Sequence, residues 1–289
     1  MIRLSLILQK KEELSHFLDL FPPAFLGDAT DFVKNHLHVI IDDSAKVQRG
    51  MLSSVAKLES MGLFFDGVEL FLVDRDFSSM SIDLAGTFHG IVLGKGSDPL
   101  VRACSLKALE SKAVTVFDFT AGTLKDSLHL VKAGFKVVAF ERHPVVYLLL
   151  KNALNRSSFN SELALFYGDP ASFGKTFFTE HFKHSLPQVI YFDPMFEGTL
   201  EKSAKPRKEM LFFHQLFKEN FSFFPQNLNG ENLNNTDKIV LDFALDLALK
   251  KVVVKRAPKA PTLKKPTFEF LSKTVRFDVY DVSAKNFLR

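Results

Sequence analysis

The chain has 289 residues, of which 46% are hydrophobic and 24% charged, and its formal net charge is +4. This composition is that of a globular protein with a sizeable core, and it argues against a disordered or fibrous chain. The single cysteine, Cys104, excludes an intrachain disulfide and fits a reducing compartment. No apolar run reaches the roughly 20 residues of a membrane span, and the first residues lack a secretory pattern, so we expect a cytoplasmic protein.

Residues 1–88 are predicted to form an N-terminal α+β domain, because short apolar runs alternate here with turn-forming segments. The clearest local signal is Asp66-Gly67, a pair that favours a tight two-residue turn between apolar strands. The predicted elements are a strand at 37–43, an amphipathic helix at 44–62, a hairpin at 63–73 and a strand at 79–86. Nothing in this half indicates an active site.

Residues 89–289 are predicted to form a second domain, of the α/β class. Lys95 lies between two glycines, and a helix is predicted to begin at Asp98-Pro99. Such a loop allows the backbone to approach a phosphate, and an ordinary connection before a helix explains it equally well.

From residue 114 onward, strand patterns alternate with helix patterns. This alternation predicts a Rossmann-like fold, with a mostly parallel sheet and helices on both faces. The predicted strands lie within 114–118, 135–142, 162–170, 186–196, 250–258 and 274–282, and the predicted helices within 123–134, 143–156, 206–224 and 238–249.

The stretch 114–142 has the pattern of a βαβ half-unit that holds an adenosine-containing cofactor. Its first strand ends at Asp118, its turn contains the single glycine Gly122, and its second strand ends at Glu141. A dinucleotide enzyme would show G-x-G-x-x-G at the turn, which is missing. An acid in the position of Glu141 occurs in enzymes that bind NAD and in enzymes that bind S-adenosylmethionine (SAM), so it does not discriminate between them. Alternatively, Glu141 is a solvated strand end without a ligand. Asp169 after the third strand suits an adenine edge or a plain Asx turn, and the combination favours SAM.

The tetrapeptide 193–196, Asp-Pro-Met-Phe, predicts the reaction class. An exocyclic amine is a poor nucleophile, and the Asp193 carboxylate with the Pro194 carbonyl offers two acceptors for its N–H bonds. The nitrogen lone pair would then point at the SAM methyl group, while Phe196 stacks on the target base. The alternative for this tetrapeptide is a structural Asp-Pro turn followed by Met and Phe residues of the hydrophobic core.

Several strings resemble the bacterial small-subunit ribosomal RNA guanine-N2 methyltransferases of the RsmJ type. They are DPMF (193–196), KSAKPRKEM (202–210), VVVKRAPKAP (252–261), VRFDVY (275–280), VFDFTAGTLKDSL (116–128), FERHPVV (140–146) and LGKGSDPLVRAC (93–104). The resemblance implies a class I SAM-dependent methyltransferase fold. It also implies cofactor contacts at Lys125, Asp126, Glu141, Arg142, Asp169 and Asp193.

The sequence departs from that family's pattern at three places. Leu124-Lys125-Asp126 replaces Gly-Arg-Asp, and Lys125 keeps the charge of arginine but lacks its planar fork. Asp169-Pro170 stands in place of a serine pair, and Glu197 in place of a proline. Glu197 adds a negative charge near an anionic substrate, so slower turnover or a shifted target stays open.

Basic residues are candidates for RNA phosphate contacts. Those beside the predicted site are Lys95, Lys202, Lys205, Arg207, Lys208, Lys255 and Arg256. A solvated helix start is the alternative for the 202–208 run. The nine histidines show no metal-ligand spacing, so no metal site is predicted.

The leading hypothesis is a SAM-dependent enzyme that methylates the exocyclic N2 of a guanine in 16S ribosomal RNA, acting on the RNA or on the 30S particle. A methyltransferase acting on an amine of another nucleic acid or a small molecule is one alternative. A non-catalytic RNA-binding ribosome-assembly factor is the other. Neither a membrane nor a metal is expected to take part.

Overall fold

The computed structural model describes residues 4–21, 29–54, 57–94, 98–106, 114–159, 161–182, 186–194, 208–219 and 233–283. The chain divides into two compact units. The first is drawn from Met1–Asp83, Val145–Arg156 and Glu197–Asn229, and the second from Leu84–Pro144, Ser157–Phe196 and Gly230–Arg289. The predicted boundary between residues 88 and 89 stays a prediction.

The first unit is built on a five-stranded sheet. Its elements are β1 (Leu4–Leu8), α1 (Glu13–Leu18), α2 (Ala29–His36), β2 (Leu37–Ile41), β3 (Lys46–Gln48), β4 (Met51–Ser53), β5 (Gly62–Phe65), β6 (Leu70–Val73), β7 (Ser79–Met80), α6 (Pro144–Asn155, from Val145 onward) and α8 (Lys208–Lys218). The strand order is β2-β1-β5-β6-β7, and β1 and β5 are buried throughout. Asn152 of α6 binds the β5–β6 hairpin, since its amide accepts from the Leu70 N–H (3.0 Å) and donates to the Val68 carbonyl (2.9 Å).

The helix predicted at 44–62 is wrong. The chain forms the antiparallel hairpin β3–β4, with Val47 opposite Leu52, and the described residues of this stretch contain no helix. Arg49 and Gly50 connect the strands with φ of 52° and 74°. These left-handed values suit a two-residue hairpin turn and are incompatible with a right-handed helix.

The hairpin predicted at 63–73 is confirmed, because β5 and β6 pair antiparallel. The tight two-residue turn is wrong, since Phe65 pairs with Leu70 across a four-residue loop. Asp66 stabilises this loop by accepting from the N–H groups of Val68 (2.9 Å) and Glu69 (2.7 Å). The strand predicted at 79–86 is confirmed only at β7, because a helix begins at Leu84.

The second unit is built on a seven-stranded sheet. Its elements are α3 (Leu84–Gly90), α4 (Pro99–Cys104), β8 (Thr115–Asp118), α5 (Lys125–Lys132), β9 (Lys136–Glu141), β10 (Leu163–Tyr167), α7 (Pro170–His181), β11 (Val189–Phe192), α9 (Leu233–Leu247), β12 (Lys251–Arg256), β13 (Phe268–Leu271) and β14 (Arg276–Asp281). The order is β10-β9-β8-β11-β12-β14-β13, parallel as far as β12 and antiparallel beyond it. The predicted α/β class and mostly parallel sheet are confirmed, and β13 was not predicted.

The order of the strands indicates at which edge of the sheet a ligand would bind. The chain runs outward through β8, β9 and β10 and then returns to lay β11 on the other side of β8. In an open parallel sheet, ligands bind outside the carboxyl ends of the strands at such a reversal of order. A ligand site is therefore expected at the ends of β8 and β11.

An aromatic core supports this edge. Phe117, Phe140 and Phe178 are buried completely, and their ring centroids lie 5.6 to 6.0 Å apart. Rings at these separations add attraction beyond the area that they bury. Helices α7 and α9 pack on each other over this cluster. Within the described residues, no helix is long and apolar enough to cross a membrane.

Candidate active site

Asp118 organises the turn after β8. It is 1% exposed, and its Oδ1 accepts from the Thr120 N–H (2.9 Å) while its Oδ2 accepts from the Ser127 hydroxyl (2.6 Å). Burial raises the pKa of this carboxyl to about 6, although both hydrogen bonds oppose the shift. The side chain thereby ties the strand end to the first turn of α5.

Glu141 links the ends of β8 and β9. Its Oε2 accepts from the Gly122 N–H (3.1 Å), and its Oε1 accepts from the His143 N–H (2.8 Å). Gly122 has φ of 54°, a conformation that glycine adopts without strain. Burial raises the pKa of Glu141 to about 7 against the effect of the two backbone donors. The single-glycine turn and the acid at the second strand end are thus in direct contact.

Leu124 precedes α5 with φ of 58°, the left-handed region that a leucine rarely adopts. Its side chain is fully buried. Glycine would accept this conformation without the cost of roughly 1–2 kcal/mol that other residues incur. Strained positions of this kind cluster at functional sites.

Asp169 begins α7 after β10. Its Oδ1 accepts from the Ala171 N–H (3.0 Å), so the carboxylate acts as a helix N-cap. The preceding Gly168 donates its N–H to the Glu141 carbonyl at 2.9 Å. One oxygen of Asp169 thus makes the local backbone contact that the Asx-turn alternative predicts. The contact of Asp169 with the cofactor stays a prediction.

Four side chains from three elements meet beside the ends of β8 and β11. The ammonium of Lys255 lies 2.7 Å from Oδ2 of Asp126 and 2.8 Å from Oδ2 of Asp193. The Tyr191 hydroxyl donates to the same oxygen of Asp126 at 2.5 Å. We call Asp126, Tyr191, Asp193 and Lys255 the carboxylate–lysine cluster.

The cluster is joined to the β8 turn, because the Asp193 N–H donates to Oγ1 of Thr120 at 2.8 Å. Burial raises the pKa of Asp193, while the Lys255 ammonium acts to lower it. Burial also acts to raise the pKa of Asp126, but Lys255 and the Tyr191 hydroxyl outweigh it and the pKa is lowered. The two carboxylates raise the pKa of Lys255 despite its burial. A charged lysine between two carboxylates follows from these directions.

The remaining predicted site residues are only partly described. Pro194 is buried directly after Asp193, and Lys125 and Arg142 are exposed near the turn and the end of β9. Phe196 and four of the predicted RNA contacts, Lys95, Lys202, Lys205 and Arg207, lie outside the described residues. Lys208 donates to the Ser79 carbonyl at 2.8 Å within the first unit.

Arg256 lies on the wall of a cavity of about 220 Å³ that Lys238, Pro261, Thr262 and Leu263 also line. Arg256 is 2% exposed, and its guanidinium donates to the Pro261 carbonyl at 2.6 Å and lies 4.0 Å from Asp237. Phosphate contacts by Lys255 and Arg256 stay predictions, and both side chains already contact groups of the protein.

Sequence reasoning missed Tyr191, Thr120 and Ser127. Tyr191 was detectable, because alternate residues of a strand share a face and Tyr191 lies two positions before Asp193. The partnership of Lys255 with Asp193 follows from the pairing of β11 with β12, in which Phe192 lies opposite Val254. That pairing could not be read from the two segments separately. No group of three or more potential metal ligands occurs among the residues described.

The strand order, with a glycine turn held by an acid at the next strand end, is that of the class I SAM-dependent methyltransferase fold. Residues 51–282 match the family described as "Putative SAM-dependent methyltransferase". A SAM-dependent methyltransferase from Neisseria gonorrhoeae has the same fold, with a TM-score of 0.58 and 21% identity over 96% of this chain and 95% of that one. The chain is therefore a SAM-dependent methyltransferase.

Curated relatives identify the family more closely. Each of the following is named ribosomal RNA small subunit methyltransferase J. The Psychromonas ingrahamii protein is 35% identical over 72% of this chain and 75% of its own length. The Neisseria meningitidis serogroup C protein is 30% identical over 84% and 96%. The Pseudoalteromonas translucida protein is 39% identical over 57% of this chain and 61% of its own length. The chain belongs to the ribosomal RNA small subunit methyltransferase J family.

The residues at the strand ends fit SAM chemically. Each oxygen of Glu141 accepts one backbone N–H and retains a second lone pair, which suits a ribose hydroxyl. The cluster contains two carboxylates and one ammonium, so its net charge suits a sulfonium cation. Bound SAM supplies an electrophilic methyl group.

Proposed function

We propose that this enzyme methylates the exocyclic N2 of a guanine in small-subunit ribosomal RNA. The names of the curated relatives support small-subunit ribosomal RNA as the substrate. Either the RNA or the 30S particle is the partner, and a cytoplasmic location follows from that partner. No metal or membrane enters the proposed reaction.

The observation that carries the proposal is the held carboxylate of Asp193. It lies at the end of β11, at the reversal of strand order, with its N–H bound by Thr120 and its Oδ2 bound by Lys255. A carboxylate held in place before the substrate arrives needs little reorganisation during the reaction. Such a group is suited to accept an N–H bond of an amine.

The two acceptors act on the geometry of the amine. Asp193 and the Pro194 carbonyl accept its two N–H bonds and draw the nitrogen towards a tetrahedral arrangement, which frees its lone pair from the ring. Bound SAM would supply the methyl group to which the nitrogen forms its new bond, and the electron pair of the broken C–S bond would stay on sulfur. The methylated amine then releases one proton to water, so no strong base is needed. Phe196 stacks on the base in this proposal.

The other predicted residues take supporting roles. Glu141 binds the ribose hydroxyls, with Asp118 and Gly122 shaping the turn and with Lys125, Asp126, Arg142 and Asp169 around the cofactor. Lys95, Lys202, Lys205, Arg207 and Lys208 are proposed phosphate contacts, together with Arg256. We also propose that residues 89–289 form the methyltransferase domain and residues 1–88 an N-terminal α+β domain.

Replacement of Asp193 tests the role of its carboxylate. Asp193→Ala should lower methyl transfer to small-subunit RNA by at least about 10²-fold, the cost of losing one preorganised electrostatic contact. RNA affinity should change little, because the carboxylate carries no phosphate contact. Transfer of a tritiated methyl group measures the first quantity and filter binding the second. Asp246→Ala, which removes a surface carboxylate paired with Lys175, is the matched control.

Mass mapping of ribosomal RNA tests the substrate. RNA from a strain that lacks this enzyme should have lost one guanine N2 methyl group, and the purified enzyme should restore it. An unchanged methylation map would refute the proposed substrate. Full activity of Asp193→Ala would refute the proposed acceptor while leaving the substrate intact.

A further inference from the structure

Lys255 was expected to contact RNA phosphates, but its ammonium lies between two carboxylates. It is 24% exposed and contacts Asp126 at 2.7 Å and Asp193 at 2.8 Å. A phosphate would have to compete with both contacts. The geometry favours a role inside the site.

The arrangement differs from an ordinary surface ion pair. Surface pairs join two mobile side chains and contribute little. Here the oxygen of Asp126 that binds Lys255 also accepts from Tyr191, which is 1% exposed and belongs to strand β11. The ammonium on β12 is therefore held by a carboxylate on α5, and that carboxylate is itself fixed by the Tyr191 hydroxyl from β11.

Asp193 is in turn held at two points. Its backbone N–H donates to Thr120 in the β8 turn, and its carboxylate oxygen Oδ2 contacts Lys255. The parallel pairing of β11 with β12 sets Phe192 opposite Val254, so the next residues, Asp193 and Lys255, are neighbours. With Oδ2 bound to the ammonium, the other carboxylate oxygen, Oδ1, is oriented as well.

We propose that Lys255 is a positioning residue that orients the Asp193 carboxylate and keeps it ionised for amine methylation, and that it is not a phosphate contact. This inference rests on the proposed function, in which Asp193 accepts an N–H bond. Lys255 touches neither the base nor the methyl group in this role. Its effect reaches the reaction through Asp193.

The charges around Asp193 predict opposite effects for two substitutions. The groups that face it are Lys255 and Arg256 on β12, Asp126 on α5, Asp118 on β8 and Tyr191 on β11. Removal of the ammonium raises the pKa of Asp193, so the acid limb of the pH–rate profile should move to higher pH. Removal of the Asp126 charge lowers that pKa, so the limb should move to lower pH.

The experiment compares Lys255→Met, Lys255→Arg and Asp126→Asn in the full-length enzyme, by single-turnover methyl transfer to small-subunit RNA between pH 5.5 and 9. Lys255→Met should lower the rate constant at pH 7.5 by about 10²-fold, as expected when a reacting contact is misplaced. The RNA dissociation constant and its salt dependence should stay at the wild-type values. Lys255→Arg keeps the charge and should recover most of the rate.

Lys175→Met is the matched control, because it removes one lysine from an exposed ion pair with Asp246 in the same unit and changes the net charge equally. Its rate and pH profile should match those of the wild type. If Lys255→Met weakens RNA binding and flattens its salt dependence without lowering the saturated rate, the phosphate role is correct and our inference is wrong. Acid limbs that do not move in opposite directions would also overturn it.

Two further readouts separate the possible failures. Thermal melting shows whether Lys255→Met is folded, and if it is not, the comparison of Lys255→Arg with Asp126→Asn carries the test. A wild-type enzyme that transfers no methyl group to small-subunit RNA refutes the proposed function. A wild-type enzyme that is active, beside an equally active and folded Lys255→Met, refutes only the positioning role.

Discussion

Asp118 and Glu141 end adjacent strands, and both carboxyl groups are buried with backbone or hydroxyl donors as their partners. Burial raises the pKa of Asp118 to about 6 and that of Glu141 to about 7. An acid whose pKa is higher in the folded protein stabilises the fold most when protonated. Its contribution is complete below the unfolded pKa and is lost as the pH rises through the folded one. These two residues therefore make the enzyme less stable at neutral pH than below their unfolded pKa values.

Asp118→Asn tests this linkage. The variant does not titrate, and the Ser127 hydroxyl can rotate to accept from the new amide, so both contacts of the side chain are kept. Relative to wild type, the variant should gain about 2 kcal/mol of unfolding free energy between pH 4.5 and pH 7.5. Urea denaturation at the two pH values measures the difference. Asp246→Asn, at the surface, should change by less than about 0.5 kcal/mol, and an equal change in both variants would contradict the assigned pKa.

At the scale of elements, the connection from β10 to α7 depends on Gly168. Its φ is 126°, which other residues rarely adopt. A Cβ at this position would overlap Cζ of Phe173, whose ring stacks on Phe177 with centroids 4.6 Å apart. Both the backbone conformation and the ring beside it therefore favour glycine at this turn. Its N–H also binds the carbonyl of Glu141, so distortion here reaches the site.

Gly168→Ala should lower the unfolding free energy by about 3 kcal/mol, from backbone strain together with overpacking. Gly134→Ala is the matched control, since Gly134 has φ of 93° but no atom within 4 Å of an added Cβ. Its loss should be about 1 kcal/mol. Urea denaturation of both variants separates the two causes. Equal losses would show that the Phe173 ring moves aside at no cost.

The same scale explains the wrong helix at 44–62. Its apolar spacing is compatible with a helix, but Arg49-Gly50 adopts the left-handed turn of a hairpin. The pairing of β3 with β4 decides between the two structures, and it satisfies backbone groups that the helical pattern would have satisfied locally. Short segments of this kind are ambiguous because local propensity differs little between the outcomes.

At the scale of the whole molecule, the reactivity of the Cys104 thiol measures how often the second unit opens. It is fully buried at the end of α4, which packs against β12, β13 and β14. Burial raises the pKa of its thiol, so the folded protein presents almost no thiolate. Modification therefore requires the unit to open.

A thiol reagent should label Cys104 at least about 10³-fold more slowly in the folded enzyme than in urea. SAM at about 100 times its dissociation constant should slow labelling a further 100-fold or so, because it stabilises the folded state by about 2.7 kcal/mol. Mass spectrometry of timed samples measures both rates. Glu141→Ala should lose the protection by SAM at the same concentration. Rapid labelling of the folded wild type would contradict the burial of the thiol.

Local signals in the sequence determined the parts of this protein that depend on neighbouring residues. Helix starts at Pro99 and Pro144, the single-glycine turn at Gly122 and the acid that ends β9 were all predictable, because caps, turns and strand ends act within a few residues. The alternation of strand and helix after residue 114 predicted the fold class for the same reason. Together with the segments that resemble the RsmJ-type methyltransferases, these signals were sufficient to predict that the cofactor is SAM.

Tertiary structure alone decided which side chains meet. Asp126, Asp193 and Lys255 are spread over 130 residues of sequence, and only the order β8-β11-β12 brings them within hydrogen-bonding distance. The same order turns Lys255 from a predicted phosphate contact into a partner of two carboxylates and buries Arg256 beside Asp237. Strand order arises from the burial of whole faces against one another, a property of the sheet that no single segment carries.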